Sequence, residues 1–183
     1  MTSRAYSFTH SSHLLRLVSA LALLCAVLVC APKSAQAENL IRRPGAHNRY
    51  SFELEPHLNI HWGGGGRHAH VGPGIRASIP FMHNGPISSI NNNMAITFGL
   101  DFYFPPGGFA AAIPVAAQWN FYFTDIVSVL GEVGVVGNFA SHGINLHVLD
   151  PYIQGGGRFQ FGKVGVLVRV GYPSFSVGAN FQF

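Results

Sequence analysis

Residues 50–62 read YSFELEPHLNIHW. Tyr50, Phe52, Leu54, Pro56, Leu58, Ile60 and Trp62 share one parity, while Ser51, Glu53, Glu55, His57, Asn59 and His61 share the other. Successive side chains of an extended chain point to opposite faces, so this segment predicts a strand with one apolar and one polar face. Few strands of soluble proteins separate so fully.

The same split recurs along the chain. Val71, Ile75, Ala77, Ile79 and Phe81 oppose His70, Gly72, Gly74, Arg76 and Ser78, and Met94, Ile96, Phe98, Leu100, Phe102 and Phe104 oppose Ala95, Thr97, Gly99, Asp101 and Tyr103. A fourth segment sets Ile113, Val115, Ala117, Trp119, Phe121 and Phe123 against Pro114, Ala116, Gln118, Asn120 and Tyr122. The fifth is less clean, because Leu130 and Val136 join Ser128, Glu132 and Asn138 on its polar side. The sixth places Ile153, Phe159 and Phe161 opposite Tyr152, Gln154, Arg158 and Gln160. The seventh sets Val164, Val166, Val168 and Val170 against Gly165, Leu167, Arg169 and Gly171, and the eighth runs to the terminal Phe183. Alternating segments of about ten residues separated by turn residues predict an all-β fold, an eight-stranded antiparallel up-and-down transmembrane β-barrel over residues 50–183.

A soluble barrel or sandwich alternates in the same way, with its apolar face inward. Aromatic position separates the two, since bilayer-spanning barrels carry aromatic girdles at both interfaces with aliphatic residues between. Tyr50, Phe52, Phe81, Phe121, Phe123, Phe159, Phe161, Phe181 and Phe183 gather at one set of strand ends, and Trp62, Phe102, Phe104, Tyr172 and Phe175 at the other. The positions between are mostly Leu, Ile, Val and Ala, Phe98 excepted. That distribution favours the membrane barrel, whose apolar face meets lipid and whose polar face lines the lumen.

Upstream, Arg4 and Arg16 precede an apolar run at residues 17–31, which Pro32 ends before Ala35-Gln36-Ala37. This predicts a cleavable signal peptide over residues 1–37, too short for a helical span of about 20 residues. Residues 38–49 then form an N-terminal periplasmic segment. Cys25 and Cys30 leave with the leader, so the exported chain has no thiol and no disulfide. Arg4, Arg16 and Lys33 leave too, and the eight remaining basic residues nearly balance seven acidic ones. Nucleic acid is therefore a poor partner.

The last eight residues, Ser176-Val177-Gly178-Ala179-Asn180-Phe181-Gln182-Phe183, resemble the polar-x-Gly-x-x-apolar-x-aromatic signal that ends bacterial outer-membrane barrels. The pattern over residues 50–183 resembles the small OmpA/OmpX-type eight-stranded barrels. The resemblance implies integral placement in the bacterial outer membrane, outer-membrane lipid as solvent, monomeric state, and reading of Ser176, Gly178, Phe181 and Phe183 by the barrel assembly machinery. With a periplasmic N-terminus, residues 63–69, 105–109, 139–149 and 173–174 become outer loops, and 82–93, 124–125 and 162–163 periplasmic turns. The 82–93 turn is long for a periplasmic connection, and the second and fourth outer loops are short, which weakens an adhesin reading.

Glycines 63–66 and 155–157 lack the lysine and the strand-to-helix context of a nucleotide loop, and suit tight bending instead. His61, His68, His70, His142 and His147 gather near the outer loops, but His68-Ala69-His70 is short and lacks an evident carboxylate partner, so no metal and no cofactor are expected. Lipid A palmitoyltransferases and deacylases resemble this architecture and use a histidine with a serine; Ser141-His142 is the nearest match. Neighbours on a strand point apart and no third orienting group stands out, so no catalytic residue is assigned. Eight strands enclose only enough room for side chains, which leaves a narrow channel as an alternative to a structural, surface-interaction or small-ligand role.

The inward faces carry Glu53, Glu55, Asp101 and Glu132 against Arg76, Arg158 and Arg169. Unpaired charges in a narrow lumen are costly, so these seven are expected to pair as an ionic plug. Pairing about the first loop sets Glu55 opposite Arg76. Pairing about the 124–125 turn sets Gln118 opposite Glu132, whose charge is then expected to reach Arg158.

Overall fold

The computed structural model describes residues 40–62, 69–105, 108–141 and 147–183. The leader expected at residues 1–37 lies outside them. A 3-10 turn, Leu40–Arg42, precedes strands β1 (Glu53–His61), β2 (His70–Met82), β3 (Asn92–Tyr103), β4 (Ala110–Tyr122), β5 (Val127–Ala140), β6 (Leu149–Phe161), β7 (Val164–Tyr172) and β8 (Ser174–Gln182). They form a closed antiparallel barrel in sequence order.

Closure is made by β1 and β8, with Glu53 opposite Gln182, His57 opposite Gly178 and His61 opposite Ser174. Beyond the last paired strand residues the seam continues, as Ser51 N–H donates to Phe183 O at 2.7 Å and Phe183 N–H to Phe52 O at 2.9 Å. With this seam hydrogen-bonded, the eight described strands leave no sheet edge to pair with another chain.

Burial is inverted relative to a soluble core. Arg158 and Arg169 are 1% and 0% exposed, whereas Leu58 and Val71 are 64% and 62% exposed. The alternation explains this: inward positions are polar or small, and outward positions form a continuous apolar surface. Phe81, Phe123, Phe159, Phe161 and Phe183 are exposed at the end holding both termini, and Trp62, Phe104, Phe109 and Tyr172 at the opposite end. Leu130, Val136 and Leu167 are the large aliphatic side chains turned inward.

Three details depart from the expected strand limits. Tyr50 precedes β1 and is buried, not part of the outward aromatic ring, because the chain before Ser51 turns in across the barrel mouth. The connection after β4 takes four residues, 123–126, with Thr124 Oγ1 accepting from Ile126 N–H at 3.1 Å and Val127 N–H at 2.8 Å. A serine or threonine hydroxyl satisfies a tight turn in this way. In the third loop the strands continue to Ala140 and from Leu149, so the loop is shorter than residues 139–149.

Candidate functional site

Inward parity places Glu53, Glu55, Arg76, Asp101, Glu132, Arg158 and Arg169 in the lumen, all buried. Nearest the termini, Arg158 Nη2 donates to Glu53 Oε1 at 2.7 Å, and Gln182 Nε2 to Glu53 Oε2 at 2.9 Å. Amides extend this layer across the barrel: Gln118 donates to Asn120 at 2.7 Å, Asn120 to Asn93 at 2.7 Å, and Ser78 to Gln118 at 2.9 Å.

At mid-barrel the charges form one chain. Arg169 Nη1 reaches both carboxylate oxygens of Glu55, and its Nε donates to Glu132 Oε1 at 3.1 Å. Glu132 Oε2 accepts from the Tyr152 hydroxyl at 2.9 Å and lies 3.7 Å from Arg76 Nη1. Arg76 also donates to Tyr152, and its Nη2 donates to Asp101 Oδ2 at 3.2 Å. His57 completes the chain with Nε2 2.7 Å from Asp101 Oδ1 and Nδ1 4.0 Å from Glu55 Oε1. Three carboxylates thus share two guanidiniums at mid-barrel, and His57 sits between two of the acids.

The pairing differs from expectation in its choice of partners. Glu55 does face Arg76 across the first hairpin and Gln118 faces Glu132 across the second. Yet the Glu55 carboxylate is held by Arg169, and Glu132 by Arg169 and Arg76, while Arg158 belongs to Glu53. The reason is stagger. Between β5 and β6, Glu132 pairs with Gln154 and Ser128 with Arg158, so Arg158 lies four residues nearer the termini, about 13 Å along the strand.

Close backbone approach makes room for these long side chains. A Cβ on Gly74 would lie 2.3 Å from both Asp101 Oδ1 and His57 Nε2, so glycine there is what lets the histidine meet the aspartate. Of the expected terminal signal, Ser176 and Gly178 face the lumen and Phe181 and Phe183 face outward. Gly178 also has a packing role, since a Cβ would come within 2.7 Å of His57 Cβ and Pro56 O.

The terminal end carries a cap that composition did not announce. Leu40 N–H donates to Phe123 O at 3.1 Å and Asn91 N–H to Ile41 O at 2.7 Å, tying the N-terminal segment to the β4 end and to the long turn before β3. The His47 ring stacks on Tyr122 with centroids 4.2 Å apart and planes 4° from parallel, and its Nδ1 lies 2.6 Å from Asn91 Oδ1. Burial lowers the His47 pKa, partly opposed by the Asn91 hydrogen bond. Burial raises that of Tyr50, with the nearby Glu53 charge adding to it. The long turn is itself built, as Asn92 Nδ2 donates to Ile87 O and Ile90 O at 2.8 and 2.7 Å and Trp119 Nε1 donates to Asn92 Oδ1 at 3.0 Å. Leu40 and Ile41, apolar residues before the strand parity begins, were the available signal.

At the opposite mouth, His61 packs on Tyr103 with ring centroids 4.3 Å apart, and His147 lies 3.2 Å from Asp150. His61 and His70 are cross-strand partners. His68 and His142 lie outside the described residues, and among those described no three ligand-type side chains gather as a metal site. Ser141 bridges two loops, its Oγ accepting from Phe109 N–H at 3.0 Å and its own N–H donating to Phe109 O at 2.8 Å.

No protein-family model matches the chain, and no curated protein matches it. Among solved structures it is similar to the Yersinia pestis outer membrane protein Ail in a phospholipid bilayer nanodisc, with 14% identity over 74% of this chain and 100% of that one and a TM-score of 0.42. The eight-stranded closed order rests on this chain's own strand pairing.

Proposed function

We propose that this chain is an integral, monomeric outer-membrane barrel with a sealed lumen, acting as a structural or surface-interaction element without catalysis. The observation that carries the reading is the inverted burial: a fully paired barrel presents Leu, Ile, Val and Phe outward and packs its carboxylates and guanidiniums inside. In water that outward surface would far exceed the apolar patches monomers tolerate, while a bilayer solvates it. The same end of the barrel holds Leu40, Phe183 and the tight turns at 123–126 and 162–163, which fits a periplasmic placement and an assembly machinery reading the last strand.

The mid-barrel ion pairs argue for a closed interior over a channel, because a solute would have to displace Arg76, Arg169 and Glu132 from one another. The protein is expected to fractionate with outer membranes and to migrate faster in detergent gels before boiling than after. Recovery as a detergent-free soluble monomer would overturn the membrane reading. Conductance above the bare-bilayer background would favour the channel, and lipid A turnover lost on changing His142 would favour an enzyme.

A further inference from the structure

Among the described residues, every exposed arginine and lysine lies at the end of the barrel that holds the termini: Arg42, Arg43, Arg49 and Lys163. Asp125 is the exposed acidic side chain among them, also at that end. The other described Arg, Asp and Glu side chains are buried in the lumen or, for Asp150, in the opposite mouth.

Three of these cations lie close in the chain or through backbone bonds to aromatic residues of the terminal end. Arg42 closes the 3-10 turn whose first residue is bonded to Phe123, an exposed ring of the terminal aromatic girdle. Lys163 follows exposed Phe161 by two residues in the β6–β7 turn, and its carbonyl accepts from Gln182 N–H at 2.8 Å. Arg49 precedes Phe52, whose ring lies 6.2 Å from that of Phe183. Aromatic girdles mark the interface between hydrocarbon and headgroups. Cations one to three residues beyond such a ring, held by a backbone-bonded cap and a tight turn, fall where lipid phosphates lie.

We propose that Arg42, Arg49 and Lys163 form a recognition rim for anionic phospholipid headgroups of the leaflet at the terminal end of the barrel, phosphatidylglycerol being the simplest ligand of that chemistry. The rim rests on the membrane-barrel reading above. It gives the protein a lipid preference separate from its apolar belt, since neutral lipid would solvate the belt equally well. Each cation near an anionic surface favours binding by about fivefold, and the attraction falls with salt.

The test uses the full exported chain in nanodiscs of phosphatidylcholine alone and of phosphatidylcholine with one-fifth phosphatidylglycerol. Retained lipids are counted by native mass spectrometry for the unaltered protein and for the triple variant Arg42→Gln, Arg49→Gln, Lys163→Gln. Phosphatidylglycerol is expected to be enriched several-fold over its share in the nanodisc, with the enrichment lost in the triple variant. Equal enrichment in both proteins would overturn the proposal. So would sedimentation with purified peptidoglycan that requires the three cations while lipid enrichment does not, which would assign the rim to a polymer. Heat-modifiable migration from the neutral nanodiscs reports separately on the barrel: failure to insert there would strike the membrane reading itself.

Discussion

Replacing Arg169 by methionine removes the guanidinium that joins the Glu55 and Glu132 carboxylates. Glu132 keeps the Tyr152 hydroxyl at 2.9 Å and Arg76 at 3.7 Å, but Glu55 is left with only His57, 4.0 Å away. Breaking a buried pair by removing one partner costs about 3–5 kcal/mol, because the surviving charge stays desolvated. One carboxylate stranded and one weakened places the expected loss at about 4 kcal/mol. Neutralising the stranded partner as well, in Glu55→Gln with Arg169→Met, is expected to recover at least half of it, since neutral groups carry no such penalty. The control, Arg42→Met on the exposed rim, is expected to stay within about 0.5 kcal/mol. Equilibrium unfolding in guanidinium with lipid present, followed by the fluorescence of Trp62 and Trp119, measures all three. A loss under about 1 kcal/mol for Arg169→Met, or a double variant no better than the single, would refute a lumen held by coupled charges.

Gly74→Ala is expected to destabilise the barrel by about 1–3 kcal/mol, because a Cβ 2.3 Å from His57 and Asp101 must wedge their contact apart; the same unfolding assay reads it. His47 has a folded pKa below its ordinary 6.5, so the unfolded or undocked segment binds more protons and docking should weaken as pH falls below about 6.5 toward the folded value. Tryptic cleavage after Arg42 and Arg49 should then quicken at mildly acid pH, and His47→Phe, which keeps the ring on Tyr122, should abolish that dependence. Deleting Phe183 is expected to impair assembly in cells far more than Phe139→Ala, since Phe183 supplies both the terminal aromatic and three backbone bonds of the closing seam. Equal yields of folded protein from the two would remove its special role.

The sequence by itself decided whatever depends on parity. Strand number, the apolar outer and polar inner faces, and the lumen position of Glu53, Glu55, Arg76, Asp101, Glu132, Arg158 and Arg169 follow from a period of two, which is a property of each segment taken alone. Hairpin register was legible too, because short turns leave little freedom in where opposing residues meet, as Glu55 with Arg76 and Gln118 with Glu132 illustrate. Ion partners were decided only in three dimensions. Arg169 reaches Glu55, 114 residues away in sequence, across a lumen where strand stagger, not hairpin neighbourhood, sets which side chains share a level. The cap belongs to the same class: Leu40 on Phe123, Ile41 on Asn91 and His47 on Tyr122 join segments with no shared period, and closing the barrel first creates the mouth they cover.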